Sequence, residues 1–194
     1  MQAIPGYNYD TPHAAHSPVT LDEMRALEET VGWTSADSEA IAMAGEVLSD
    51  QAEAMVESRR ARIGEHEHLA KWFFGPDGEP DEAYKAAVKK RFVQWVLDAC
   101  MRRRDQAWLD YQEEIGLRHT PAKKNKTEGT QTPDVVLLRH LLAFAGPVII
   151  GAKAFLAKKG HSAADVERMH QAWAKSVLLT LALWSRPYVR EGLW

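Results

Sequence analysis

The sequence predicts a single all-α domain, and three observations carry that prediction. Apolar residues recur at spacings of three and four along most of the chain, the period of a helix with one buried face. No run alternates Val, Ile and Thr at period two, and no hairpin dipeptide joins two such runs. Residues that start helices stand ahead of the apolar stripes. At 194 residues the chain is long enough for one full core.

Each element follows in order. Pro5, Gly6, Pro12 and Pro18 make residues 1–19 an extended arm. Thr20 and Glu23 form a capping-box pattern ahead of Met24, Leu27 and Val31. Thr34 or Ser35 caps a helical region that runs through Val47, Leu48, Met55 and Val56 towards Ile63, where Gly64 interrupts it. Gly75 to Pro80 is a turn. A helix from about Asp81 to Cys100 puts Tyr84, Val88, Phe92, Trp95, Val96 and Ala99 on one face. The next runs from Asp105 to His119, with Trp108, Tyr111, Ile115 and His119 on one side. Thr120 to Thr132 is polar and reads as a solvated loop. A helix beginning near Pro133 is expected to kink at Pro147 and to end at Gly160. Ser162 and Asp165 start the last helix, whose stripe is Val166, Met169, Trp173, Val177, Leu181 and Trp184, and Pro187 ends it.

Composition excludes several function classes. A net charge of -3 gives no reason to expect nucleic acid or an anionic membrane as partner. The one cysteine, Cys100, cannot form an intrachain disulfide, which agrees with a cytoplasmic location, and it reads as a packed thiol. The polar N-terminus, with His13 and His16, is not a secretory signal. Val135 to Leu156 is the most apolar stretch, but Arg139, His140 and Lys153 within it favour a soluble core helix over a membrane span. His66-Glu67-His68 resembles a small metal cluster, yet residues two apart on a helix face different ways. Glu113-Glu114 and Lys123-Lys124-Asn125-Lys126 read as solvated charge.

His119 is the residue that points to chemistry. It follows Ile115 by four and so sits on the apolar side of its helix, in a chain with seven tryptophans. Such a histidine can offer a neutral ring nitrogen to haem iron, or it can be a core histidine with both nitrogens hydrogen-bonded. The residues by themselves leave both readings open. No Cys-x-x-Cys-His motif is present, so any haem is held without covalent attachment.

The chain resembles the protoglobins along nearly its whole length. The resemblance rests on Ile4 to Tyr9, Gly45 to Leu48, Lys90-Arg91-Phe92 with Trp95, Asp105 to Gln112 leading into Glu114 to His119, Phe155 to His161, and Ala182 to Ser185. It implies a three-over-three globin sandwich with an extra leading helix and an N-terminal arm. It further implies haem b, with His119 as the proximal ligand, Phe92 and Phe144 as aromatics beside the ligand pocket, and Trp184 as a further contact. Implied ligands are O2, CO and NO or small anions, and the family commonly forms homodimers through its last two helices. The related globin-coupled sensors append a signalling domain. Here little chain follows Ser185-Arg186-Pro187, so a stand-alone globin is the expectation.

Two positions depart from the family pattern. Arg59-Arg60 stands where the family places a Trp-Tyr pair, whose tyrosine hydroxyl hydrogen-bonds the bound ligand. Either the arginines lay their stems on apolar surface with the guanidinium groups in water or on propionates, or one points at the ligand side and favours anions. Arg60 is the better candidate for the second role, since it aligns with the tyrosine. Gly146 replaces a bulky aromatic, which would enlarge access to the haem. The expected function is reversible binding of diatomic gases. The alternatives are a peroxidase-like or NO-detoxifying enzyme using a distal arginine, a gas sensor acting on a separate partner, and a haem-free helical interaction protein.

Overall fold

The computed structural model describes residues 3–190 and 192–194. Among the described residues, eight α-helices follow the arm: α1 Leu21–Thr30, α2 Ser35–Leu48, α3 Ala52–Gly64, α4 Glu67–Ala70, α5 Glu82–Met101, α6 Gln106–Leu117, α7 Leu138–Leu156 and α8 Ala163–Ser185. There is no β-strand among the described residues. A lone bridge between Phe74 and Pro80 closes the predicted turn, with Gly75 N donating to Glu79 O at 2.8 Å.

The helix starts lie where the sequence puts them, for local reasons. Thr20 accepts from Glu23 N while Glu23 accepts from Thr20 N, so two N–H groups left over at the start of α1 are satisfied together. Thr34 caps α2 in the same manner with Asp37, and Asp37 also receives Lys175 of α8 at 2.8 Å. Asp105 caps α6 and Ser162 caps α8.

Three boundaries differ from expectation. The region from Ser35 to Ile63 is not continuous, because residues 49–51 form a turn. The Gln51 side chain donates to Val47 O at 2.8 Å and supplies a bond that the broken ladder lacks. α6 stops at Leu117, two residues short of His119. Pro121 disfavours helix at the residue before it, and His119 N closes a tight turn onto Gly116 O at 3.1 Å. α7 starts at Leu138, not near Pro133, since the segment before it pairs with His119 through Val136 N at 2.9 Å.

The long helices pack closely on one another: α7 meets α8 and α3, α2 meets α8 and α5, α6 meets α8, and α3 meets α5. The main core holds Leu48, Met55, Val56, Val96, Leu156 and Trp173, and a smaller cluster seats α1 through Met24 against Trp108, Leu109 and Leu179. α6 lies so close to α8 that a Cβ on Gly116 would come within 3.3 Å of the Trp184 backbone.

α7 is long and apolar enough to cross a membrane by length and composition. It packs on α8 through one face, which belongs to the main core. Ala145, Val148, Ala152 and Leu156 are buried, while Leu142 and Ile150 lie in the open. The helix runs on through Pro147. Just beyond it, Trp173 Nε1 donates to Val148 O at 3.2 Å and His170 Nε2 to Ile149 O at 2.9 Å, tying α8 to this stretch.

The arm is folded down along its length. Tyr7 and Tyr9 pack on the Tyr111 ring of α6, and the Tyr7 hydroxyl donates to buried Asp98 of α5 at 2.7 Å. Farther along, Ala15 N donates to Glu114 at 2.9 Å and Ser17 N to Asp110 at 2.8 Å.

Candidate functional site

The helices border a cavity of about 250 Å³. A single water needs only ~10–15 Å³ of such space, so the cavity suits a large ligand. α5 contributes Val88, Phe92 and Trp95, α6 Ile115, α7 Phe144 and Val148, and α8 Leu181 and Trp184. Those of α5, α6 and α8 come from the predicted apolar stripes; Phe144 and Val148 of α7 complete the wall. An apolar stripe that borders a cavity still has accessible surface, which is why Val88, Phe92 and Phe144 are only half-buried.

His119 sits in this wall and is oriented from several sides. Its Nδ1 lies 2.8 Å from Ile115 O. A carbonyl can only accept, so Nδ1 carries the proton and the Nε2 lone pair is left free. The ring stacks on Trp184 at 5.4 Å and 27°, and the Trp184 indole is itself held by Gln112 Oε1 at 3.0 Å. The turn's backbone is clasped as well. Val136 N donates to His119 O, and the Tyr188 hydroxyl, just past α8, donates to Val136 O at 2.6 Å with His119 O 3.0 Å away. Burial away from bulk water is the main reason the His119 pKa is pushed down to about 4, so the ring is neutral at physiological pH.

A second set of residues gives the cavity a charged part. Arg91, Arg118, Lys124 and Glu128 all line it. Arg91 pairs with Glu128 and donates to Pro5 O of the arm at 2.8 Å. Arg118 binds Glu114 at 2.9 Å and the arm's Asn8 at 3.1 Å, so the arm is latched onto this part of the wall by two arginines. Lys124 is buried and donates to Trp72 O at 3.0 Å and Thr132 Oγ1 at 2.7 Å; desolvation pushes its pKa down to about 8.

Three polar atoms on lining residues are buried without a partner: Arg118 Nη1, Trp72 Nε1 and Glu128 Oε2. Two of them are donors. Buried donors are normally satisfied, so these call for an acceptor from a bound group. A flat, largely apolar cofactor with carboxylate arms and a metal that takes a neutral imidazole fits this wall. The aromatic and aliphatic faces match its body, His119 Nε2 its metal, and Arg118 with Arg91 and Lys124 its carboxylates.

The structure thus brings His119, Phe92, Phe144 and Trp184 to one cavity. It does not bring Arg59 and Arg60 there. Arg59 lies along α7, where a Cβ added to Gly151 would run into its guanidinium, and its Nε is buried without a partner. Arg60 sits over the Phe73 ring at 5.7 Å in a separate, neighbouring pocket. Two adjacent helix positions diverge by about 100°, and here neither side chain turns inward. Gly146 is also outside the wall: open space lies beside it, so the lost aromatic does not widen the cavity itself.

Sequence reasoning missed the charged wall. Lys124 read as part of a solvated run, and Glu113 and Glu114 as a solvated face. All three are buried, with Glu113 pairing with Arg186 and Glu114 with Arg118 and Lys123. Glu114 is held below the usual carboxylate range by these cations, which outweigh its desolvation. No local pattern marks a loop lysine that folds back under its own loop. His66 and His140 each lie beside the His68 ring at a tilt, but no group of three or more His, Cys, Asp or Glu that could hold a metal occurs among the described residues. Cys100 is a buried free thiol, its pKa pushed up to about 12 by desolvation.

Comparison with known proteins gives this geometry its context. The structure is similar to the globin domain of a Geobacter sulfurreducens globin-coupled sensor, with a TM-score of 0.63 and 11% identity, covering 86% of this chain and 98% of that one. At this identity the likeness establishes the fold, a globin. No curated protein matches the chain. Residues 20–194 match the protoglobin family; the arm segment Ile4 to Tyr9 lies before the matched region. Globins hold haem and take gaseous ligands, and this chain, matched from α1 to its last residue, belongs to the protoglobin family.

Proposed function

We propose that the protein holds one haem b through His119 Nε2 and reversibly binds O2, CO or NO. The observation that carries this reading is the state of His119. Its ring is neutral, its Nδ1 is committed to Ile115 O, and its Nε2 is free in the wall of an apolar cavity. When bound, haem supplies an iron centre that takes diatomic ligands.

The chain's own residues do the rest. The Nδ1 hydrogen bond and the Trp184 stack fix the plane of the imidazole. Arg118, Arg91 and Lys124 would receive the propionates, and Phe92, Phe144 and Val148 keep the surroundings apolar and exclude water. With Arg59 and Arg60 turned away, no cation from α3 faces the cavity, so a peroxidase-like or NO-detoxifying role through a distal arginine loses its support. Gas storage or sensing through an apolar ligand side is the reading that the lining supports.

We further infer a cytoplasmic homodimer. The unpaired, buried Cys100 suits a reducing compartment. Leu142 and Ile150 of α7 and Leu178 of α8 leave an apolar surface on the last two helices. A sedimenting species of monomer mass at all concentrations would refute the dimer.

Haem binding is tested by titrating haem into the apoprotein and following tryptophan emission. Trp72, Trp95 and Trp184 line the cavity, so quenching is expected to be deep and to saturate at one haem per chain. Shallow quenching without a break at equimolar haem would overturn the proposal.

A further inference from the structure

A second pocket, of about 280 Å³, lies between the C-terminal part of α3, the turn that follows α4 and the start of α5. Its walls are Ile63, Gly64, Ala70, Phe73, Phe74 and Pro80, and its charged groups are Arg60 and Lys85. Ile63 and Phe73 also border the cavity that holds His119, so they form the partition between the two spaces.

Arg60 has no hydrogen-bond or ion-pair partner among the described residues. It rests on the face of Phe73 at 5.7 Å, and Glu82 acts on it only through space. A cation–π contact consumes none of the guanidinium's N–H hydrogen bonds, so these remain for an acceptor. Lys85 pairs with Glu82, whose side chain is 73% exposed, and a pair of that kind is worth little and exchanges readily. Two cations therefore face a pocket that has no acidic lining residue and is otherwise apolar. A bare inorganic anion would answer the charges and leave the aromatic and aliphatic walls unfilled. A carboxylate on a short hydrocarbon or aromatic body answers both.

We propose that this pocket is a binding site for small amphipathic monocarboxylates, with Arg60 gripping the carboxylate, Lys85 adding charge, and Phe73, Phe74 and Ile63 packing the apolar body. The site is independent of haem and of His119. Its position gives Arg60 a role beside the gas cavity, not inside it, while Arg59 lies along α7 and takes no part.

Benzoate is the probe. Titrated calorimetrically into the full chain at constant ionic strength, it is expected to bind saturably, with nuclear Overhauser contacts from its ring to Phe73 and Phe74. Arg60→Gln is expected to weaken binding about ten- to a hundredfold, the loss of one charge-assisted hydrogen bond. Arg60→Lys, which keeps the charge without the fork, weakens it less. Equal affinity in Arg60→Gln, absence of saturable binding to the parent chain, or contacts to Phe92 and Phe144 in place of Phe73 and Phe74 would each overturn the proposal. The contacts are read on the unsubstituted protein, so they decide the matter even where a variant folds poorly.

Discussion

His119→Ala is expected to cost the protein its haem, lowering affinity by more than about a hundredfold. Changing a partner that merely orients a metal ligand costs 10- to 100-fold, and here the ligand itself is removed. The substitution also leaves a void shaped for an imidazole, walled by the Trp184 ring on one side and open to the cavity on the other. Free imidazole in the buffer is therefore expected to restore much of the haem spectrum. The variant separates the two readings that the sequence left open. A core histidine held only for structure would, when truncated, lower stability and leave haem spectra unchanged in whatever protein still folds. Unchanged spectra would remove His119 from the site.

Deleting residues 1–18 is the second large effect. The arm supplies Pro5 O to Arg91, Asn8 Oδ1 to Arg118 and Ala15 N to Glu114, and it lays Tyr7 and Tyr9 over Tyr111. Arg91, Arg118 and Tyr111 all line the cavity. Without the arm, two arginines that would receive propionates lose a partner and their side of the wall opens to water. One hydrogen bond to a charged group is worth about 1.5–3 kcal/mol, so haem transfer to a competing apoglobin is expected to quicken by about tenfold or more. Tyr7→Phe is the milder version: it keeps the ring on Tyr111 and removes only the hydroxyl from Asp98. Loss rates equal to those of the full chain would mean that the arm covers the wall without holding anything in place.

The parts of this architecture that were legible in the sequence are those fixed by neighbours in the chain. Capping boxes at Thr20 and Thr34 are written within four residues. The stripes of α5 and α8 are periodic, and they do supply the cavity wall. His119 was legible because it lies on the line of Ile115, even though α6 ends before reaching it; the turn preserves the side on which the ring emerges, and Ile115 O stays within reach of Nδ1.

What was not legible depends on where a long side chain folds in space. Lys124 looks like its neighbours Lys123 and Lys126, yet it alone of the three turns inward, to a carbonyl of Trp72 far away in the chain. Arg60 aligns with a residue that faces the ligand in the family, but a guanidinium is longer than a phenol and always charged, so it leaves the apolar interior for the Phe73 face. Glu113 and Glu114 are adjacent acids on a helix, which suggests solvent, but Arg186 from the end of α8, Lys123 from the following loop and Arg118 one turn on converge on them and make burial tolerable. The break after Leu48 is carried by Gln51, whose side chain bonds back onto the helix end in a way that periodicity does not register.

The central claim is that one neutral imidazole, that of His119, holds the haem and leaves the other face free. Its most direct test is the absorption spectrum of the purified ferrous protein, before and after CO. A five-coordinate ferrous spectrum that converts fully to a six-coordinate CO complex is expected. A ferrous spectrum already six-coordinate before CO is added, or no Soret band after equilibration with haem, would contradict it.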